Sequence, residues 1–192
     1  MRNSTIVRKT SETEIQIDLN LDGCGITEID TGVGFLDHML TLFGFHGGFD
    51  MSIKCKGDLN TDTHHTSEDV GIALGQAFTK ALGDKKGIER YGSVCLPMDE
   101  ALVRVVIDLS GRPYLIYKAG FNRELIGSMA TEDFKEFFQG FANNCLCNLH
   151  IEVLYGENDH HKIEAVFKGL GRAMKKAAEI TSDILQSTKG AL

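Results

Sequence analysis

The sequence His64-His65-Thr66-Ser67-Glu68 has a second copy, His160-His161-Lys162-Ile163-Glu164, in the other half of the chain. Each copy opens a stretch in which apolar residues recur at helical spacing. The positions that follow also match at the same offset: Val70/Val166, Leu74/Leu170, Gly75/Gly171, Ala77/Ala173, Lys80/Lys176 and Ala81/Ala177. We therefore interpret the chain as an internal duplication that contains two His-His-x-x-Glu helices.

Helix geometry separates the possible ligands within each motif. Residues three or four apart share a helix face, whereas adjacent residues point about 100° apart. Glu68 can therefore lie beside His64 or His65, while the two imidazoles diverge and would reach two different metal ions. Imidazole with carboxylate suits Zn, Fe, Ni or Mn, and the motif lacks the thiolates of a structural zinc site. A single His-His pair is commonly two surface histidines, but a second copy in register favours metal binding.

Residues that favour helix N-caps precede both motifs. Asp62 or Thr63 would cap the first helix, and Asn158 or Asp159 would cap the second. The histidines would then lie on the first turn of each helix, at the rim of the fold.

The composition limits the class of protein. Of the 192 residues, 42% are hydrophobic and 24% are charged, which fits one globular domain with sufficient length for a core. The chain has no apolar run that could cross a bilayer and no signal-peptide centre near its start, so we expect a cytoplasmic protein without a membrane partner. The net charge of −7 disfavours nucleic-acid binding. Five cysteines without metal-binding spacing favour buried free thiols.

The periodicity predicts an α+β fold made of two similar β-β-α-β-α units, residues 1–92 and 93–192, within one domain. The predicted strands are Thr5–Lys9, Thr13–Leu21, Met51–Lys56, Ala101–Leu109, Pro113–Lys118 and Leu149–Tyr155, and the predicted helices are Phe35–Phe45, His64–Leu82, Thr131–Cys145 and His160–Glu179. Asp22-Gly23 and Ser110-Gly111 would close the second strand of each unit, the former as a hairpin turn. We expect two mixed sheets that sandwich a helical layer.

The repeat also pairs residues outside the motifs. His38, on the helix before the first motif, corresponds to Glu136 on the helix before the second. Each half could thus donate one further ligand, although a locally bonded histidine and a solvated glutamate remain alternatives. Aligning the turns that follow the second strands places Glu100 over Glu12.

Together these residues and their flanking segments resemble the imidazoleglycerol-phosphate dehydratase family, nearly from end to end. The segments that resemble it are Gly34–Leu40, Asp62–Asp69, Arg90–Gly92, Pro97–Leu102, Asp108–Pro113, Leu149–Ile151, His160–Ala165 and Ser187–Gly190. The resemblance implies two four-stranded sheets in a ribosomal protein S5 domain 2-like fold. It also implies a hydro-lyase of histidine biosynthesis that needs two Mn²⁺ ions per active site, in a 24-subunit octahedral shell with sites at subunit contacts.

The resemblance assigns roles to individual residues. The implied metal ligands are His38, His64, His65, Glu68, Glu136, His160, His161 and Glu164. The implied catalytic residues are Glu12, Glu164 and His65. The implied substrate-binding residues are Glu12, His46, Arg90, Arg112, Lys168, Ser187, Thr188 and Lys189, several of which would bind the phosphate. Many relatives have His where this chain has Glu136, which we expect to bind Mn²⁺ directly or through water.

The implied reaction removes a proton from a carbon that has no adjacent carbonyl. We expect the substrate's imidazole, bound to a metal as imidazolate, to act as the electron sink. Loss of the hydroxyl beside the ring would give a diazafulvene, and a base, Glu12 or a freed Glu164, would then remove the proton to give an enol and the ketone. Two alternatives remain: another metal-dependent enzyme such as a hydrolase, or a metal-storage or metal-sensing shell, which would not need Arg90 or Arg112.

Overall fold

The computed structural model describes residues 2–192, and the repeat is visible in its order of elements. The strands are β1 Asn3–Lys9, β2 Thr13–Asn20, β3 Thr27–Asp30, β4 Asp50–Gly57, β5 Tyr91–Met98, β6 Ala101–Asp108, β7 Tyr114–Lys118, β8 Leu125–Ile126, β9 Met129–Ala130 and β10 Asn148–Tyr155. The helices are α1 Gly34–Gly47, α2 His64–Leu82, α3 Asp133–Cys145 and α4 Asp159–Ala178. Among these described residues, no helix is both long and apolar enough to cross a membrane.

The two mixed sheets correspond strand for strand. The first has the order β1-β2-β4-β3 and the second β5-β6-β10-β7. In each sheet the last pair is parallel and the other pairs are antiparallel. Ile15, Ile17 and Leu19 alternate with more exposed residues along β2, which gives the sheet one apolar face. The predicted α+β duplication is confirmed.

Each four-stranded sheet contains one strand that the sequence pattern does not predict, and the second half also has the unpredicted short hairpin β8–β9. In the first half β3 was missed, because it has only four residues and none of them is fully buried. In the second half β5 was missed, because Gly92 and Pro97 resemble strand breakers. Proline is tolerated there because β5 is an edge strand. Glycine is required because a Cβ atom at Gly92 would lie 1.9 Å from the carbonyl oxygen of Ala173 in α4.

The predicted hairpin at Asp22-Gly23 is wrong. The neighbours of β2 are β1 and β4, and the chain after Asp22 crosses to the far edge of the sheet, where β3 pairs in parallel with β4. Ser110-Gly111 is followed by the same crossing, because β7 pairs in parallel with β10. A turn signal indicates where a strand ends, but it does not identify the next strand's partner.

The helices form the middle of the sandwich and pair between the two halves. Helix α2 packs against α3, and α1 packs against α4, while β1 and β2 lie on α2 and β5 and β6 lie on α4. The ring of Phe35 lies 5.2 Å from that of His160 and 6.0 Å from that of Phe134, measured between centroids. Thr63 donates a 2.5 Å hydrogen bond to Asp133 at the start of α3. The first turns of all four helices therefore meet at one edge of the protein.

Candidate metal centre

His38, His160 and Glu164 form a cluster, the α1/α4 cluster, at this edge. One ligand atom from each residue lies within 4.8 Å of the other two. His160 Nε2 is 3.0 Å from Glu164 Oε2, and His38 Nε2 is 3.7 Å from the same oxygen. Two imidazole nitrogens and a carboxylate oxygen that face one point are suitable ligands for a divalent transition metal. The cluster thus brings together the first histidine and the glutamate of the second motif with a histidine from α1 in the first half.

Local capping fixes where the motif histidines emerge. The side chain of Asn158 accepts hydrogen bonds from the backbone N–H groups of His160 and His161, and so caps α4 as predicted. At the start of α2, Asp62 accepts a 2.9 Å bond from the N–H of His64. Both histidine pairs therefore occupy the first turn of their helix, where backbone N–H groups would otherwise lack partners.

Lys168 supports the ionised form of Glu164. The lysine lies one helical turn after the glutamate, and its Nζ is 2.5 Å from Glu164 Oε1. Burial raises the pKa of Glu164, but the hydrogen bond and charge of Lys168, followed by those of His160, lower it more, so the pKa is below its ordinary value. A buried carboxylate is thereby kept charged beside two imidazoles. Lys168 thus lies with the metal-ligand candidates.

The corresponding residues of α2 and α3 are arranged more openly. His64 Nδ1 is 3.6 Å from the buried carboxylate of Asp133, and both Glu68 and Glu136 are half-buried. Gly140, one turn after Glu136, packs against the backbone of Glu68, so Glu136 shares the face of α3 that contacts α2. Within residues 2–192, however, the second set does not close into a group of three ligand atoms.

The second histidine of each motif points away from its neighbour, as helix geometry predicts. His65 Nδ1 is 3.0 Å from Asp58, and His161 Nδ1 is 2.7 Å from Glu100. These carboxylates raise the pKa of His65 and of His161, and the bond to His161 lowers the pKa of Glu100 to about 2. The sequence offers no signal for Asp58, which lies in a polar loop without distinctive spacing, and its only signal for Glu100 is the alignment with Glu12.

Glu12 lies next to the first motif. Its carboxylate, in the turn between β1 and β2, is 3.8 Å from His65 Nε2 and is about half exposed. It therefore faces the ring nitrogen that Asp58 leaves free. A metal ligand candidate and an acid–base candidate are thus neighbours in this chain.

His46 lies on the last turn of α1 and is half-buried. Burial lowers its pKa, and the positive charges of Lys168 and Arg172 lower it further. A neutral imidazole with two cations nearby is suited to an anionic group of a substrate.

The other predicted phosphate-binding residues lie at the opposite end of α4. The backbone N–H of Arg90 donates to the carbonyl of Ala177, and its guanidinium pairs with Asp108 at 2.7 Å. It also donates to the carbonyl of Gln186, so the segment that contains Ser187, Thr188 and Lys189 folds against Arg90. The side chain of Arg112 is exposed at the same edge, beside Gly111, which lies against the backbone of Leu192.

Comparisons with known proteins agree with this arrangement. A family model described as imidazoleglycerol-phosphate dehydratase matches residues 31–174. The imidazoleglycerol-phosphate dehydratase of Clostridioides difficile is 57% identical over 192 residues, and that of Methylorubrum extorquens is 55% identical over 195; each alignment covers 100% of both chains.

Solved structures of the same enzyme share the fold. The Staphylococcus aureus structure has a TM-score of 0.83 and 42% identity, covering 94% of this chain and 99% of that one. The Pyrococcus furiosus structure, a complex with (S)-C348, has a TM-score of 0.86 and 40% identity, covering 97% of this chain and 100% of that one. The chain therefore belongs to the imidazoleglycerol-phosphate dehydratase family, the dehydratases of histidine biosynthesis.

Proposed function

We propose that this chain converts D-erythro-1-(imidazol-4-yl)glycerol 3-phosphate into 3-(imidazol-4-yl)-2-oxopropyl phosphate and water, using two Mn²⁺ ions per active site in a 24-subunit assembly. The main observation in support is the α1/α4 cluster, in which two imidazoles and a buried ionised carboxylate face one point. Membership of the family supplies the reaction, and this donor set is compatible with the metal.

The residues present fit two metal positions per site. His38, His160 and Glu164 would contribute to one position. His64, Glu68 and Glu136 would contribute to its counterpart on α2 and α3. His65 and His161 point outward, where each would bind a metal ion together with ligands from outside these two sets. When bound, the ions supply Lewis-acid polarisation of the substrate's imidazole and hydroxyl groups. Nitrogen and carboxylate oxygen donors without thiolates suit Mn²⁺ among several divalent metals.

Proton transfer is the task that we assign to Glu12. The carbon that loses its proton has no adjacent carbonyl, so the electrons must pass to the substrate's ring. Loss of the hydroxyl beside the ring from the imidazolate gives a diazafulvene-type intermediate, and this ring then accepts the electrons of the C–H bond when a base takes the proton, which gives the enol and then the ketone. Glu12 is exposed and faces the Nε2 side of His65, where it can reach a substrate without disrupting the fold. Glu164 would serve as the second acid–base group, because one of its oxygens faces His38 and His160 while Lys168 holds the other.

The separation of the two residue groups supports sites made from more than one chain. His160 lies in the first turn of α4, and Arg90 is bonded to Ala177 near its last residue. At 1.5 Å per residue these ends are about 25 Å apart, which is far longer than a three-carbon phosphate with one imidazole ring. A neighbouring subunit is therefore needed to bring Arg90, Arg112 and the C-terminal segment to the metal ligands.

The direct experiment is a dehydration assay on protein stripped of metal and then reloaded with Mn²⁺. We expect imidazole acetol phosphate to form with Mn²⁺ and not with the stripped protein. Release of inorganic phosphate in place of water would favour the hydrolase alternative. Mn²⁺ binding with no conversion of the substrate, and no loss of phosphate affinity in Arg90→Ala, would favour the metal-storage alternative.

A further inference from the structure

We propose that Asp58 and Glu100 are positioning residues of the metal centre. Each carboxylate binds Nδ1 of one outward-pointing histidine, His65 or His161, and thereby directs its Nε2 to a metal ion. The inference rests on the proposed metal-dependent function and extends it to residues for which no role has been assigned.

The contact in the second half is the more constrained. Glu100 Oε2 is 2.7 Å from His161 Nδ1, and Glu100 Oε1 accepts backbone hydrogen bonds from Asn158 at 2.7 Å and Glu157 at 3.2 Å. Asn158 is the residue that caps α4. One carboxylate in the turn between β5 and β6 thus connects the loop before α4 to the ring of His161, so the backbone and the ring are fixed together.

The contact in the first half is simpler. Both oxygens of Asp58 face His65 Nδ1, at 3.0 Å and 3.3 Å, from the loop that follows β4. The side chains of His65 and Asp58 are each about one-third exposed, which leaves the opposite side of the ring accessible. The two halves therefore reach the same ring contact with carboxylates from different loops.

The chemistry of imidazole connects these contacts to metal binding. An ionised carboxylate only accepts hydrogen bonds, so the nitrogen that faces it must carry the proton. In a neutral imidazole the proton on Nδ1 leaves the lone pair on Nε2, and a carboxylate partner also makes that nitrogen a better ligand. Asp58 and Glu100 therefore select the tautomer and the ring orientation that a metal needs on Nε2.

The two halves of the repeat use equivalent glutamates in different ways. Glu12 and Glu100 occupy equivalent positions after the first strand of each unit, yet Glu100 bonds Nδ1 of His161 while Glu12 faces Nε2 of His65 at 3.8 Å. In the first half Asp58 binds Nδ1 instead. Glu12 is therefore free of the orienting task and lies on the side of the ring where a metal and substrate would bind.

The test measures Mn²⁺ affinity by calorimetry on the intact, metal-stripped protein. We expect Glu100→Ala and Asp58→Ala to weaken binding by about 10- to 100-fold. Asp58→Asn should recover most of the affinity, because the amide oxygen still accepts from Nδ1. Glu152→Ala is the matched control, since that carboxylate pairs with Arg104 and Lys118 on the sheet and should leave affinity unchanged.

The outcomes separate this inference from the proposed function. Three results together would show that the positioning role is wrong while the metal centre remains. Wild-type protein would bind Mn²⁺, His161→Ala would weaken that binding, and Glu100→Ala and Asp58→Ala would bind Mn²⁺ as tightly as wild type. If wild-type protein does not bind Mn²⁺, the proposed function fails first. Because Glu100→Ala also removes backbone contacts, its circular dichroism and melting temperature must match wild type; otherwise Asp58→Ala and Asp58→Asn decide the question.

Discussion

Gly171 in α4 lies directly against the backbone carbonyl of Phe43 in α1, where a Cβ atom would come within 2.5 Å of the carbonyl oxygen. Gly75, the equivalent residue of α2, lies against the carbonyl of Phe141 in α3 in the same manner, at 2.6 Å. In both pairs, α1 with α4 and α2 with α3, a glycine without a side chain therefore lets the two helices approach closely. This close approach brings His38 of α1 next to His160 and Glu164 of α4.

Replacing either glycine with alanine should destabilise the fold. We expect Gly171→Ala and Gly75→Ala each to cost about 1–3 kcal/mol, because the added methyl meets backbone atoms that cannot rotate away. The measurement is the loss of helical circular dichroism on heating or in urea. Gly34→Ala is the control: it lies in the first turn of α1 with nothing within 4 Å of an added Cβ. Equal stability of Gly171→Ala and Gly34→Ala would contradict the close-packing argument.

Removing the proposed base should affect turnover and leave binding intact. Glu12→Gln keeps the shape of the side chain but cannot take a proton, so we expect kcat to fall by about 10²- to 10⁴-fold. The Kd of the substrate should change little. The control is Glu14→Gln, since Glu14 instead pairs with Lys9 on the sheet surface. An unchanged kcat in Glu12→Gln would remove Glu12 from the mechanism.

Arg90 is expected to contribute to binding of the phosphate. Its guanidinium is fixed by Asp108 and by the carbonyl of Gln186, so it is already oriented before an anion arrives. Arg90→Ala should weaken substrate binding by about 10-fold or more, because it removes the equivalent of one charge-assisted hydrogen bond. The affinity for inorganic phosphate should fall in parallel. Arg104→Ala serves as the control because Arg104 pairs with Glu152 on the sheet. Identical phosphate affinity in both variants would contradict this role.

Metal removal should alter the size of the proposed assembly. The ligand sets of α1/α4 and α2/α3 lie at the edge of the chain, and only the first closes into a group of three ligand atoms in the described residues 2–192. If metals bridge subunits in the proposed 24-subunit assembly, a chelator should convert it into smaller units, and Mn²⁺ should restore it. Sedimentation velocity measures both steps. An unchanged sedimentation coefficient after complete metal removal would show that metals do not hold the proposed assembly together.

The duplicated motif was predictable because its information is local. Helical spacing and caps place His160 and Glu164 on one face, and the repeat itself pointed to His38 on the preceding helix. The partners of the outward histidines were not predictable, because Asp58 and Glu100 reach His65 and His161 through tertiary contacts between loops. The strand β5 was hidden by Gly92 and Pro97, whose suitability depends on an edge position and on α4. Sequence patterns therefore predicted most of the elements and named ligand candidates, but they did not predict the packing partners.

Acid should reveal the contribution of Asp50, the residue that begins β4. Its carboxylate accepts backbone hydrogen bonds from Cys24 at 2.9 Å, Gly25 at 3.1 Å and Ile26 at 3.0 Å, in the turn before β3. These bonds lower the pKa of Asp50 below its ordinary value, and the bond from Cys24 contributes most. Because the folded-state pKa is depressed, the stabilisation is complete above the unfolded-state pKa of about 3.9 and is lost as pH falls through the folded-state value.

The comparison of wild type with Asp50→Asn isolates this effect from other carboxylates that titrate in acid. At neutral pH the variant should melt at a lower temperature, because a neutral amide oxygen accepts the three N–H groups less strongly than a carboxylate. Below about pH 4 the difference should shrink, since Asp50 of unfolded wild type becomes protonated there and folded Asp50 follows at lower pH. Asp183→Asn, at an exposed aspartate, controls for the loss of one charge. A melting-temperature difference that stays constant from pH 7 to pH 3 would show that the ionised carboxylate does not stabilise this turn.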